Sequence, residues 1–200
     1  MSIALIGGAG EGLGAALGRR FARSHEVVLC SRTRGERADL RKEEDVIDLY
    51  ERVEKRGPVD VAIFNAGAYF RGSILDTPAA TFENVWRVAC YAGFLFGREA
   101  ARRMVLRGRG TILFSGATAS MRGAANFAAF AAAKGGLRQV AQSMARELGP
   151  MNIHVSHVVI DGSIDMMGAD AIAELYWQLH AQPRSAWTFE ADLRPSSEKF

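Results

Sequence analysis

The stretch "IALIGGAGEGLGAALGRRFA", residues 3 to 22, constrains this chain more than any other. An apolar run leads into Gly7, Gly8, Gly10, Gly12 and Gly14, and the chain then continues with helical periodicity. Strand, glycine turn and helix in that order make a phosphate cradle. Glycine permits the tight turn and a close backbone approach to a pyrophosphate, and the helix N-terminus supplies free N–H groups and a favourable dipole. A lone glycine pattern is a weak signal, but with both flanking elements in place it points to a dinucleotide site built on Gly8, Gly10, Gly12, Leu13 and Gly14.

The rest of the chain repeats the alternation. Strand-like runs cover 2–6, 26–30, 59–64, 110–115, 153–160 and 186–193, and helical patterns cover 12–23, 43–55, 79–107, 127–148 and 169–181. Several runs are apolar at every position, as in a parallel sheet covered on both faces. The expectation is an α/β chain: a Rossmann-type, doubly wound, mainly parallel sheet with helices on both faces. At 200 residues and with no linker or repeat, it reads as a single domain over residues 1–200.

A net charge of +3 is too small to argue for nucleic acid. The one basic cluster, Arg102, Arg103, Arg107 and Arg109, ends a helix, where cations favour the dipole. Cys30 and Cys90 have no metal spacing and read as buried reduced thiols of a cytoplasmic protein. The four histidines offer no metal site in the sequence. No run approaches membrane-spanning length.

After the second strand, Ser31 and Arg32 stand where an NAD-preferring site would carry an acid. An arginine there pairs with a 2′-phosphate, so NADP(H) is expected over NAD(H), which stays possible.

With these residues in place, the chain resembles the short-chain dehydrogenase/reductase family over nearly its whole length. The glycines Gly8, Gly12 and Gly14 match its cofactor motif, with Gly7 in place of a threonine. "FNAG" (64–67) resembles its Asn-Asn-Ala-Gly motif, implying that Asn65, Ala66 and Gly67 close over the adenosine side. "ADLRKEEDV" resembles the segment contacting adenine, implying roles for Asp39 and Leu40. "VVIDGSID" resembles the segment over the nicotinamide, implying a role for Gly162, with Asp161 in place of a proline.

The resemblance breaks at the active site. The family uses asparagine, serine, tyrosine and lysine, which here fall on Cys90, Ala117, Phe130 and Lys134. Only Lys134 is kept. The longer tyrosine–lysine spacing of related enoyl reductases falls on Phe127. Phenylalanine keeps the ring and loses the proton, so carbonyl/alcohol chemistry is expected to be weak or altered. General acid catalysis typically contributes about 10²–10⁴-fold. Ser115, Thr118, Ser120, Tyr69, Asp161 and Asp165 are nearby polar groups without an assigned role. The oxidoreductase reading has one rival, a non-catalytic dinucleotide-binding sensor or support subunit. The small-molecule substrate stays unknown.

Two further expectations come from composition and length. The Ala- and Gly-rich helix near 127–148 and the nearly all-apolar helix near 79–107 imply a homo-dimer or homo-tetramer. Only six residues separate Arg32 from Asp39, where the family places a whole helix, and the segment after "GSID" is short as well. The reading is that residues are left out of the sequence at both places. It predicts backbone breaks between 32 and 39 and between 163 and 169, with genuine deletion as the alternative.

Overall fold

The computed structural model describes residues 1–197. Seven strands form one sheet in the order β3-β2-β1-β4-β5-β6-β7. They are β1 (Ile3–Gly7), β2 (Glu26–Ser31), β3 (Glu36–Arg37), β4 (Val59–Phe64), β5 (Gly110–Ser115), β6 (Ile153–Ile160) and β7 (Glu190–Leu193). Every pairing is parallel. The first strand lies inside the sheet, as a doubly wound fold requires.

The strands alternate their side chains between two apolar layers. From β1, Ala4 and Ile6 join Leu13, Leu17, Phe21, Ile172 and Tyr176 on the face covered by α1 (Leu13–Phe21) and α7 (Ala169–His180). Ile3 and Leu5 face the opposite layer, with Tyr50, Phe96 and Leu137 from α2 (Glu43–Glu54), α4 (Ala92–Arg107) and α5 (Ala128–Leu148). Burial on both faces is why these strands read as continuous apolar runs.

Four boundaries differ from the expectations. The single helix near 79–107 is α3 (Ala79–Trp86), a π-helical segment (Arg87–Tyr91) and α4. Gly93 and Gly97 let α4 lie against its neighbours: a Cβ on Gly93 would stand 2.4 Å from Leu137 Cδ1, and one on Gly97 2.6 Å from Phe114 Cζ. The last strand starts at Glu190 rather than 186, after a 3-10 turn at Arg184–Ala186. A four-residue helix, α6 (Ile164–Met167), precedes α7, and β3 has no counterpart among the expected strands.

The backbone runs on without a break at both places, 32–39 and 163–169. After β2 the Ser31 hydroxyl accepts the N–H groups of Thr33 (3.2 Å) and Arg34 (2.7 Å). Gly35 then turns at φ +66°, where a Cβ would lie 2.0 Å from the Leu29 carbonyl oxygen. Only glycine fits there. Because β3 is two residues long, this turn can return it beside β2 in parallel without a crossover helix. At the second place Gly168, at φ +80°, joins α6 to α7.

The basic cluster is ion-paired. Arg103 bonds Glu99 at 2.8 Å, Arg107 bonds Glu54 at 2.9 Å, and Arg109 lies 3.6 Å from Asp60. Both cysteines are buried free thiols. Among the described residues, no helix is long and apolar enough to cross a membrane.

Candidate functional site

The C-terminal ends of β1, β2, β4, β5 and β6 open into two adjoining clefts that share Asn65 and Gly67. The first, about 590 Å³, is bordered by Gly8, Gly10, Ser31, Arg32, Asp39, Leu40, Asn65, Ala66 and Gly67. The second, about 810 Å³, is bordered by Gly12, Ala117, Phe130, Lys134 and Gly162. Fold topology therefore gathers nearly every residue singled out in the sequence, as expected at the carboxyl ends of an open α/β sheet. Three stand apart. Leu13 turns its side chain into the core. Gly14 packs under the loop, where a Cβ would be 2.7 Å from the Gly8 carbonyl oxygen. Cys90 lines neither cleft: it is buried in the π segment, and its Sγ stands 2.8 Å from where a Gly136 Cβ would be.

The glycine turn has the form a dinucleotide needs. Gly8 adopts φ +99°, and a Cβ there would strike Ala66 N at 2.5 Å. A Cβ on Gly10 or Gly12 would meet nothing within 4 Å, so these two face open space. Helix α1 starts with no side-chain cap and no acid in its first turn; the Ala15 N–H donates to the Gly10 carbonyl at 3.0 Å, which leaves the dipole and the Leu13 and Gly14 N–H groups for an anion. Glu11 is adjacent, but Arg34 pairs with it at 2.7 Å.

In the first cleft the Ser31 hydroxyl is engaged by its own turn and also donates to the Arg34 carbonyl at 3.1 Å. Asp39 is clamped by Arg41, whose Nη2 donates to Oδ2 at 2.6 Å. That hydrogen bond holds the Asp39 carboxyl down to about 2. Arg32 is exposed and makes no ion pair among the described residues. Its charge also acts on the Asp39 carboxyl, adding to the effect of Arg41.

In the second cleft Lys134 is buried, and its Nζ donates to the Ser115 carbonyl at 2.8 Å. Burial pushes its pKa down to about 8. Phe130 lies one helical turn earlier, with its ring 5.5 Å and edge-on from the Tyr69 ring. Ala117 borders the same space. Thr118 donates to Asp161 at 2.5 Å, so both groups are paired.

Two buried arrangements carry no sequence signal, because their members are far apart in the chain. In one, Ser115 Oγ donates to Asn65 Oδ1 at 2.9 Å and contacts the Tyr176 hydroxyl at 2.7 Å, while Asn65 Nδ2 donates to the Gly8 carbonyl at 3.2 Å. This chain of bonds ties α7 to the glycine turn. Burial raises the Tyr176 phenol well above its ordinary range, so it is a poor acid. In the other, His157 is fully enclosed, with Nδ1 3.0 Å from Glu190, which also pairs with Arg138 at 2.6 Å.

Burial pushes His157 down to about 4, against the pull of Glu190. Between that value and 6.5 the unfolded chain binds the proton and the folded chain does not, so stability falls as pH drops through this window. Urea unfolding at pH 7 and pH 4.5 should show roughly 2–3 kcal/mol more loss in the unmodified protein than in His157→Gln. Equal losses would mean that His157 is protonated in the fold.

The family model for short chain dehydrogenases matches residues 2–165. This chain belongs to that family. Among its relatives, the 3-oxoacyl-[acyl-carrier-protein] reductase MabA of Mycobacterium avium is 30% identical over 179 residues, covering 85% of this chain and 70% of the relative. The (21S)-21-acetoxyl-apo-melianone synthase SDR of Melia azedarach is 34% identical, over 73% of this chain but 52% of its own length. The chain thus spans about half of that relative. A solved short-chain dehydrogenase from Rhodopseudomonas palustris is 43% identical with a TM-score of 0.92, over 97% of this chain and 98% of the other. A metagenomic short-chain oxidoreductase solved in complex with NADP is 27% identical with a TM-score of 0.89, over 98% of both chains. The family's open α/β architecture is the one described above.

Proposed function

We propose that this family member binds NADP(H) and has weak or altered carbonyl/alcohol chemistry. One observation carries the reading: Lys134 is in place at the second cleft, while Phe130 and Ala117 border that cleft where an acid and an orienting hydroxyl belong. Gly8, Gly10 and Gly12 would hold the pyrophosphate, Arg32 the 2′-phosphate, and Lys134 a ribose hydroxyl. When bound, the cofactor supplies or accepts a hydride. The aromatic wall of Tyr69, Phe127 and Phe130 would orient an apolar part of the substrate and exclude water. Among the described residues, the position from which the family's tyrosine would hand a proton to a substrate oxygen holds Phe130, so reduction of an ordinary ketone should be slow.

Fluorescence titration with NADPH, followed by a carbonyl panel on the same sample, tests this. The expected result is saturable binding with turnover far below ordinary enzyme rates. Ketone reduction at ordinary rates would overturn the degenerate-site reading, and absence of NADPH binding would overturn the cofactor reading.

We also propose a symmetric dimer or tetramer formed through α4 and α5. Phe82, Trp86 and Phe94 are large apolar side chains left 36–38% exposed on α3 and α4. Packing inside the chain already uses Ala129, Ala133 and Gly136 of α5, but Ala132 remains exposed. Light scattering at micromolar concentration should give at least twice the 21.7 kDa chain mass, and a monomer would refute the assembly. Two buried free thiols fit a reducing compartment such as the cytoplasm.

A further inference from the structure

At the opposite end of the sheet from the clefts, three residues far apart in the chain converge. His25 stands immediately before β2, Asp60 is near the start of β4, and His180 ends α7. One ligand atom from each lies within 4.8 Å of those of the other two. We propose that His25, Asp60 and His180 form a Zn(II) site that ties the α1–β2 turn, β4 and the end of α7 together.

The donor set selects the ion. Two imidazoles and a carboxylate suit zinc, whereas magnesium and calcium require oxygen ligands throughout. Donors at about 2.0–2.1 Å around a tetrahedral ion stand roughly 3.3 Å apart. Side-chain movements of about 1 Å would therefore close the set. Each ring is already oriented by a hydroxyl: His25 Nδ1 contacts Ser24 Oγ at 2.9 Å, and His180 Nδ1 contacts Thr111 Oγ1 at 3.0 Å. Such second contacts fix the tautomer and leave the other ring nitrogen open to a metal. Aromatic rings shield the site on one side, with Phe21 and Trp177 packed against both histidines. Asp60 is partly exposed, so water can complete the coordination. Arg109, 3.6 Å from Asp60 and mostly exposed, is the only cation paired with it among the described residues and can swing away. This grouping has no signal along the chain, since no two of the three residues have metal-ligand spacing.

The test uses the tag-free full chain, stripped with a chelator and then equilibrated with micromolar Zn(II). The expected result is about one zinc per chain after desalting. At a hundredfold excess over Kd, the thermal midpoint should rise by roughly 5–10 °C. His180→Gln and Asp60→Asn should each weaken zinc binding at least about tenfold and leave NADPH binding at the remote clefts unchanged. Co(II) bound to the unmodified chain should give the intense visible absorption of a tetrahedral ion, and this holds the test open if a variant fails to fold. Failure to retain zinc, equal affinity in the folded variants, or a weak octahedral Co(II) spectrum would each overturn the proposal.

Discussion

Phe130→Tyr combined with Ala117→Ser is expected to create or raise ketone reduction by at least about tenfold, a modest share of what a positioned acid supplies. The geometry favours it. Phe130 sits on α5 one turn before Lys134 and borders the second cleft, as does Ala117. Lys134 Nζ is fixed by the Ser115 carbonyl at 2.8 Å. A phenol placed beside that ammonium would have its phenolate favoured and its pKa lowered, which readies it to give up a proton near neutral pH. The serine would supply the lost orienting hydroxyl. NADPH affinity should hardly change, since neither side chain is assigned to hold the cofactor. Steady-state rates with a ketone panel, alongside fluorescence titration, check both halves. A double variant that binds NADPH but stays inert would mean that the substrate pocket has diverged too, favouring a sensor or support role. Tyr69→Phe is the companion measurement. Tyr69 is 69% exposed and lies edge-on to Phe130, so if it substitutes for the lost acid, this change would abolish any residual turnover.

NADP(H) should bind roughly ten- to hundred-fold more tightly than NAD(H), and Arg32→Ala should remove most of that difference. The magnitude follows from one charge-assisted phosphate contact, about 1.5–3 kcal/mol. Three arginines border the first cleft near Ser31, but they are not equivalent. Arg41 is committed to Asp39 and Arg34 to Glu11, while Arg32 has no ion pair among the described residues. Arg34→Ala should therefore act differently from Arg32→Ala. It would unmask Glu11 beside the glycine turn and weaken both dinucleotides alike. The Arg32 contact is exposed, so the preference should shrink as salt rises. Equal affinities for the two cofactors in the unmodified protein would refute the assignment.

Much of the architecture was legible in the sequence because its cause is local. Strands buried on both faces must be apolar at every position, and the glycine turn must be glycine where φ is positive, as at Gly8. Those constraints are written residue by residue, so they placed β1, the turn and α1 and fixed the layer order. That Lys134 and Phe130 border one cleft was legible for a related reason, since they are one helical turn apart, but the roles proposed for them came from the family resemblance and not from the spacing. Where spacing along the chain sets the geometry, the sequence by itself was enough.

Only the tertiary structure decided the rest. The two-residue β3 depends on Gly35 meeting the Leu29 carbonyl and on the Ser31 hydroxyl closing its own turn. No periodicity signals either contact. The hydrogen bonds of Ser31 within its own turn and the ion pairs of Arg34 and Arg41 likewise depend on the fold. Tyr176, Ser115 and Asn65 form a buried chain of bonds, and His25, Asp60 and His180 form a cluster, because the parallel sheet brings distant strand ends together. A hydrogen bond or a ligand set depends on distances in space, and only the folded sheet supplies those when the residues are more than 30 positions apart.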